Sequence, residues 1–177
     1  MKIVTRTITA VEGFPKEIGF YLDAWEKSRA ELRESVADLS KEELAQKLTP
    51  AAPQIGGLIL HIGEAEASWI HSIVAERELS VEEKKAVHWC DTTETDFAEK
   101  GYTANDCVRL LDKIGATSRE ILARFSDEDL ENLISYDRRG KRVEVSLRWV
   151  LCHLIDHEAN HKGQIAMLKR LLRERDE

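Results

Sequence analysis

Apolar residues recur every three or four positions through four long stretches of this chain, and each stretch reads as an amphipathic helix. The first covers about Lys16–Leu39, with Phe20, Trp25, Leu32 and Val36 set among charges. The second covers about Gly56–Glu76, after Pro50 and Pro53 have closed off what precedes it. Ile55, Leu58, Ile62, Ala65 and Trp69 recur there at helical spacing. The third covers about Ala104–Phe125, with Thr103 placed to cap it and Val108, Leu111, Ile114 and Leu122 as its stripe. The fourth, about Val145–Glu174, is the longest.

The connections add detail. Tyr136–Val145 places β-branched residues on both sides of Gly140, the pattern of a short hairpin, with Ser146 as a cap for the last helix. Ser80–Gly101 is polar and mixed, and reads as a long crossover with one helical turn. Leu39-Ser-Lys-Glu-Glu-Leu44 after the first helix is echoed by Phe125-Ser-Asp-Glu-Asp-Leu130 after the third. Two ordinary Ser-capped turns would look the same. Two helical hairpins with matching punctuation predict an all-α fold, a four-helix bundle with one long crossover. A short hairpin can precede the last helix, and one helical bundle domain is expected over residues 1–177.

Composition agrees and narrows the function classes. The chain has 177 residues, 42% apolar and 33% charged, with 6% aromatics and 3 prolines. That is enough apolar material for one packed core, and it favours helix over sheet. The net charge of −7 argues against a phosphate-backbone binder, so no nucleic-acid partner is expected. The basic stretch from Lys162 to Arg175 reads as a solvated face at a helix end, where cations suit the dipole. The longest uncharged run, Leu48–Gly63, is broken by prolines and is shorter than the ~18–20 residues a spanning helix needs, so no membrane is expected. The first residues carry no apolar export segment. Cys90, Cys107 and Cys152 are odd in number and lack CxxC spacing, which fits a reducing cytoplasm, each thiol reading as a small buried hydrophobe.

The histidines carry the chemistry. On a 4-3 repeat along the last helix, Leu147, Val150, Leu154, His157, His161, Gln164, Leu168 and Leu171 share one seam. Two imidazoles one turn apart on a core seam are placed to share a divalent metal, since buried polar groups must be satisfied. His157-Glu158-Ala-Asn-His161 also matches H-E-x-x-H, with Glu158 beside the ligands as a candidate general base. Two hydrogen-bonded core histidines with a solvated Glu158 would fit the pattern too. On a helical wheel with His157 at 0°, His161 lies at about 40° and Glu158 at about 100°, flanking the metal face. The longer protease form fails, because Gln164 and Met167 stand where it wants Gly and His.

A third ligand is therefore expected upstream, and His61 is the best candidate. It shares a face with Leu58, Ala65, Ser68 and Ser72, whose small members leave room for an imidazole, although tight helix packing would use such a face equally. His71 and His88 stand in polar surroundings and are expected to be exposed. His153 is one turn before His157 but off the seam.

Leu60-His61-Ile62-Gly63-Glu64, taken with Cys152-His153-Leu-Ile-Asp-His157-Glu-Ala-Asn-His161-Lys-Gly163-Gln164-Ile165, resembles the DinB/YfiT-like superfamily. The resemblance follows helix order over nearly the whole chain and is specific around these two segments. It implies a four-helix bundle that holds zinc or nickel with His61, His157 and His161. It also implies a thiol S-transferase that uses a low-molecular-weight thiol, such as bacillithiol or mycothiol, on small electrophiles. The family includes a mycothiol-dependent maleylpyruvate isomerase. The other readings are a metal-activated hydrolase using Glu158 and a non-catalytic metal-binding or stress-response bundle. A homodimer is one assembly the sequence allows.

Overall fold

A computed structural model describes residues 3–86 and 97–176. Helix α1 (Lys16–Val36) buries Ile18, Leu22, Trp25, Leu32 and Val36 at the spacing the pattern demands. Its N-cap is Pro15, which has no side chain to cap with; the Asp127 carboxylate, distant in sequence, accepts the N–H groups of Glu17 and Ile18 instead. A short α2 (Lys41–Ala45) starts on a reciprocal capping box between Ser40 and Glu43. Helix α3 (Ile55–Glu66) continues without a break into a π-helical stretch, Ala67–Val74, closed by bonds from the N–H groups of Ala75 and Arg77 to the carbonyls of Ile70 and Ser72.

Helix α4 (Val81–Ala86) and a 3-10 turn (Phe97–Lys100) frame the crossover. His88 and Cys90 lie outside the described residues. Helix α5 (Ala104–Leu122) begins on a Thr103–Asp106 capping box, as its sequence predicts. A 3-10 turn (Asp127–Glu131) repeats the box with Ser126 and Asp129, so the echoed punctuation is two real caps. The hairpin pairs β1 (Leu133–Arg138) with β2 (Lys141–Ser146) antiparallel in the register Tyr136↔Val143. Arg139 and Gly140 turn it at positive φ, 50° and 73°, the two-residue geometry that suits strand twist. Helix α6 (Leu147–Asp176) follows directly, and Ser146 Oγ accepts the Trp149 N–H at 3.2 Å. The chain is thus mostly helical with one small antiparallel sheet.

The four long helices close a ring of contacts, α1 on α6, α6 on α3, α3 on α5 and, more lightly, α5 on α1. Two large apolar clusters fill it. One gathers Leu32, Val36, Ile59, Phe97, Leu111 and Ile165; the other gathers Leu22, Trp25, Ile70, Leu122, Val150 and Leu154. Entry into α3 is locked by Gln54, which donates to the Ala45 carbonyl at 2.6 Å and accepts the Phe97 N–H at 2.8 Å. A Cβ on Gly56 would lie 2.4 Å from the Phe97 ring, so only glycine fits there.

The α6 seam departs from the expected phase. Leu147, Leu151, Leu154, Glu158, Ile165, Leu168 and Leu172 are buried, whereas Gln164 is exposed and His157, His161 and Leu171 are half-buried. The inward position in mid-helix belongs to Glu158, because a partner on α1 satisfies its charge. The basic end of α6 is not simply solvated either. Lys162 pairs with Glu31, Lys169 with Asp38, and Arg173 with Asp38 and Glu43, tying α6 to the first helical hairpin. No helix among the described residues is long and apolar enough to cross a membrane.

Candidate metal centre

His61 projects from α3 toward α6, where His157 and His161 stand one turn apart. His157 Nε2 lies 3.3 Å from His61 Nε2 and 3.2 Å from His161 Nε2. One ligand atom from each ring falls within 4.8 Å of the others. The other ring nitrogens are pinned. His61 Nδ1 donates to Glu64 Oε2 at 2.8 Å, and His161 Nδ1 donates to Gln164 Oε1 at 2.8 Å. With the proton held on Nδ1, the Nε2 lone pairs of His61 and His161 both face His157. Carboxylate or amide partners behind the imidazoles are the usual way a protein fixes tautomer and ring direction for a metal.

Electrostatics point the same way. Burial pushes His157 down to about 3, and the neighbouring rings of His161, His61 and His153 add to the effect. Burial also lowers His161, against a smaller opposing bond from Gln164. Imidazole nitrogens from three rings converging on one point suit a divalent cation. The donor set fits zinc or nickel, and three protein ligands would leave a coordination position open.

Glu158 lies between the two α6 histidines in sequence but turns inward and is 1% exposed. Arg29 Nε donates to its Oε1 at 2.7 Å, Arg29 Nη2 to its Oε2 at 2.7 Å, and Trp25 Nε1 to the same Oε2 at 2.7 Å. Arg29 Nη2 also reaches Glu66 Oε2, at 2.9 Å, on the His61-bearing helix. Ser118 Oγ donates to Glu66 Oε1 at 2.6 Å. Burial works against the Arg29 charge, but the facing carboxylates outweigh it and hold its pKa above the ordinary value.

Two expectations need correction. His71 is not exposed: it is 2% accessible, with Nε2 3.1 Å from both the Ile114 carbonyl and Ser118 Oγ, and Nδ1 3.3 Å from Glu83. It lies on the π-helical stretch and packs against Ile114 and Ser118 on the buried face of α5. Cys152 is exposed on α6, while Cys107 is buried and its thiol is pushed up to about 12 by desolvation, with Asp106 adding to the rise. His153, off the metal point, stacks on Trp149 at 4.8 Å with planes 9° apart. The sequence pattern drew no attention to Arg29, Glu66 or Ser118, because charged and hydroxyl residues in a helix read as surface by default. Their burial could have been suspected only from Arg29 falling on the α1 apolar stripe between Trp25 and Leu32.

The family model of mycothiol S-transferase matches residues 21–175. No curated protein matches the sequence. Among solved structures, a DinB-like protein from Bacillus cereus ATCC 10987 superposes with a TM-score of 0.64 at 21% identity, covering 86% of this chain and 91% of that one. A conserved protein from Enterococcus faecalis superposes with a TM-score of 0.58 at 19% identity, covering 85% of this chain and 94% of that one. These two likenesses establish the fold.

Proposed function

The chain belongs to the mycothiol S-transferase family, of DinB-like type, and on that premise we propose that it is a metal-dependent thiol S-transferase of the cytoplasm. Its substrates are a low-molecular-weight thiol and a small electrophile. The thiol sulfur attacks the electrophilic carbon, a carbon–sulfur bond forms, and the leaving group departs with its electron pair. The thiol proton passes to solvent. His61, His157 and His161 would hold the divalent ion, zinc or nickel. Bound there, it would supply Lewis-acid stabilisation of the thiolate at neutral pH. Glu64 and Gln164 keep Nδ1 protonated and Nε2 free on their two rings.

The convergence of three Nε2 atoms with two of the rings pinned from behind carries this reading. Metal content of the purified protein tests it first. S-transfer from mycothiol, with bacillithiol and glutathione as comparisons, tests it second. We expect about one zinc or nickel per chain, lost together with activity in His61→Ala. A protein that transfers the thiol equally well after His61→Ala would sink the proposal.

Glu158 separates this reading from a metal-activated hydrolase. Its carboxylate is buried and both oxygens accept bonds from Arg29, one of them from Trp25 as well, which draws it toward α1. We assign it a positioning role, holding the rotation of α6 between its two ligands. A purely metal-storing bundle would retain the ion and show no transfer with any thiol.

A further inference from the structure

Where cations gather on α6 they are paired, Lys162, Lys169 and Arg173 each holding an acid of the first helical hairpin. The tip of the β1–β2 hairpin is different. Arg138, Arg139, Lys141 and Arg142 crowd around one turn in a chain of net charge −7. All four are exposed, and among the described residues none of them has an ion-pair partner. The ladder sets Arg138 directly opposite Lys141, a like-charge pair that costs the sheet stability. Asp137 stands opposite Arg142 and offsets that charge, so Arg138, Lys141 and Arg139 are the uncompensated group. Arg139 also holds φ at 50°, a left-handed turn position that glycine or asparagine fills at lower cost.

Side chains alternate along a strand. Ile134, Tyr136, Val143 and Val145 face the bundle, so Arg138 and Lys141 extend that inner face past its last apolar pair. Tyr136 packs on Trp69 at 5.4 Å, Trp69 on His153 at 5.4 Å, and the His153 ring centre is 5.7 Å from that of His157. Ser146 to Lys141 spans about 17 Å of strand and Leu147 to His157 about 15 Å of helix, so the two arms run for similar lengths. The tip lies on the His153 flank of α6: burial holds His153 below its usual pKa, Asp156 opposes this, and the charge of Arg138 adds to the lowering. Resting on the S-transfer reading above, we propose that the hairpin tip recognises a carboxylate or comparable anionic group on the electrophile, with Arg138 and Lys141 as specificity-determining residues. An anion seated between them relieves the repulsion that the ladder imposes, and a guanidinium fork matches a carboxylate. Grouped cations also steer an anion toward the site beside them. Mycothiol carries no carboxylate, so the anion belongs to the electrophile.

The test compares the full metal-loaded chain with a tip variant, Arg138→Gln/Lys141→Gln. A control, Lys41→Gln/Lys47→Gln, makes the same charge change at the α2 end of the bundle, on two other exposed lysines. Initial rates of S-transfer from mycothiol are followed with iodoacetate and with iodoacetamide. In both, sulfur replaces iodide on the same carbon and iodide leaves with the bonding pair, so the two differ chiefly in charge. The ratio of kcat/KM, iodoacetate over iodoacetamide, should fall at least about fivefold in the tip variant, through the KM for iodoacetate, and stay within about twofold in the control. Independently of activity, succinate, and not succinamide, should move the backbone amide resonances of residues 138–142 to saturation at constant ionic strength. Its affinity should be at least about fivefold weaker in the tip variant, whose Tm should stay the same or rise because a like-charge pair has gone. An unchanged ratio in the tip variant, or an equal fall in the control, would overturn the inference, as would succinate shifts that spread over the surface without saturating. Saturable succinate binding at the tip of a chain that transfers no thiol would instead retain the anion site and remove the S-transfer reading.

Discussion

Arg29 grips Glu158 through two nitrogens, Nε and Nη2, each 2.7 Å from a different carboxylate oxygen, and with Nη2 it also holds Glu66. One guanidinium from α1 therefore joins the two helices that carry the three histidines. A bidentate grip of this kind fixes orientation as well as distance. Removing the cation leaves two buried carboxylates facing each other. Arg29→Met should lower stability by about 3–5 kcal/mol in urea unfolding. Adding Glu66→Gln and Glu158→Gln to it should recover about half of that loss or more, because nothing buried is then left charged. Equal stability of the single and triple variants would show that packing, not charge, sets the cost.

Glu158→Gln on its own should be mild. Arg29 keeps Glu66 as counter-charge, and Trp25 keeps an oxygen to donate to. Loss of a general base typically costs 10²–10⁴-fold in rate, so S-transfer should fall by less than about tenfold. A loss of about a hundredfold with the metal retained would return Glu158 to the role of base.

Removing the metal should soften the fold without unravelling it. The apolar clusters close without any of the three histidines. An ion present at about 100 times its dissociation constant stabilises by about 2.7 kcal/mol, or a shift of roughly 5–10 °C in a chain of this size. Chelation should lower Tm by that order and leave the helical circular dichroism intact. Collapse of the helical signal would make the site structural.

The entry of α3 offers a contrast between neighbours. At Gly56 a methyl group would strike the Phe97 ring, which is 1% exposed and has nowhere to go. At Gly57 the same methyl meets only Gln54 Cβ, at 4.0 Å. Gly56→Ala should destabilise by about 1–3 kcal/mol, whereas Gly57→Ala should be neutral or stabilising by up to ~1 kcal/mol. Thermal unfolding of the pair decides it, and similar shifts in both would remove Phe97 as the cause.

Acid should loosen α5 from its start. Asp106 is drawn down to about 2, first by the Thr103 hydroxyl and backbone N–H and then by Arg109. A carboxyl depressed in the folded state stabilises above its unfolded pKa, near 3.9, and that contribution fades as pH falls through the folded value. Amide exchange in the first turn of α5, corrected for its intrinsic pH dependence, should show falling protection between about pH 4 and pH 2. Asp106→Asn should already show reduced protection at neutral pH. Protection that stays flat over that range would mean that the cap holds without its charge.

Helix positions, the hairpin, the caps at Ser40, Thr103 and Ser126, and the meeting of His61 with His157 and His161 were all legible along the chain. Periodicity and capping are local, and a local signal survives in one dimension. What escaped depended on partners far away in sequence. Asp127 caps α1 across the bundle, and Arg29 makes Glu158 a core residue, shifting the α6 seam away from the expected phase. His71 looked exposed because Ile114 and Ser118, which it packs against, lie on another helix. Cys152 looked buried because a cysteine's preference is an average, and this one stands on the outer side of α6.

The two apolar clusters are separated by the layer where Arg29, Glu66, Glu158 and Ser118 meet, and every long helix passes through it. A helix slid by one turn, about 5.4 Å, would still find greasy neighbours above and below. It would also drag a charge into one of them and strand that charge's partner. The layer thus acts as a ward in a lock, admitting one vertical alignment of four otherwise forgiving rods. For a site built from imidazoles on two separate helices, that alignment decides whether the three nitrogens meet at all.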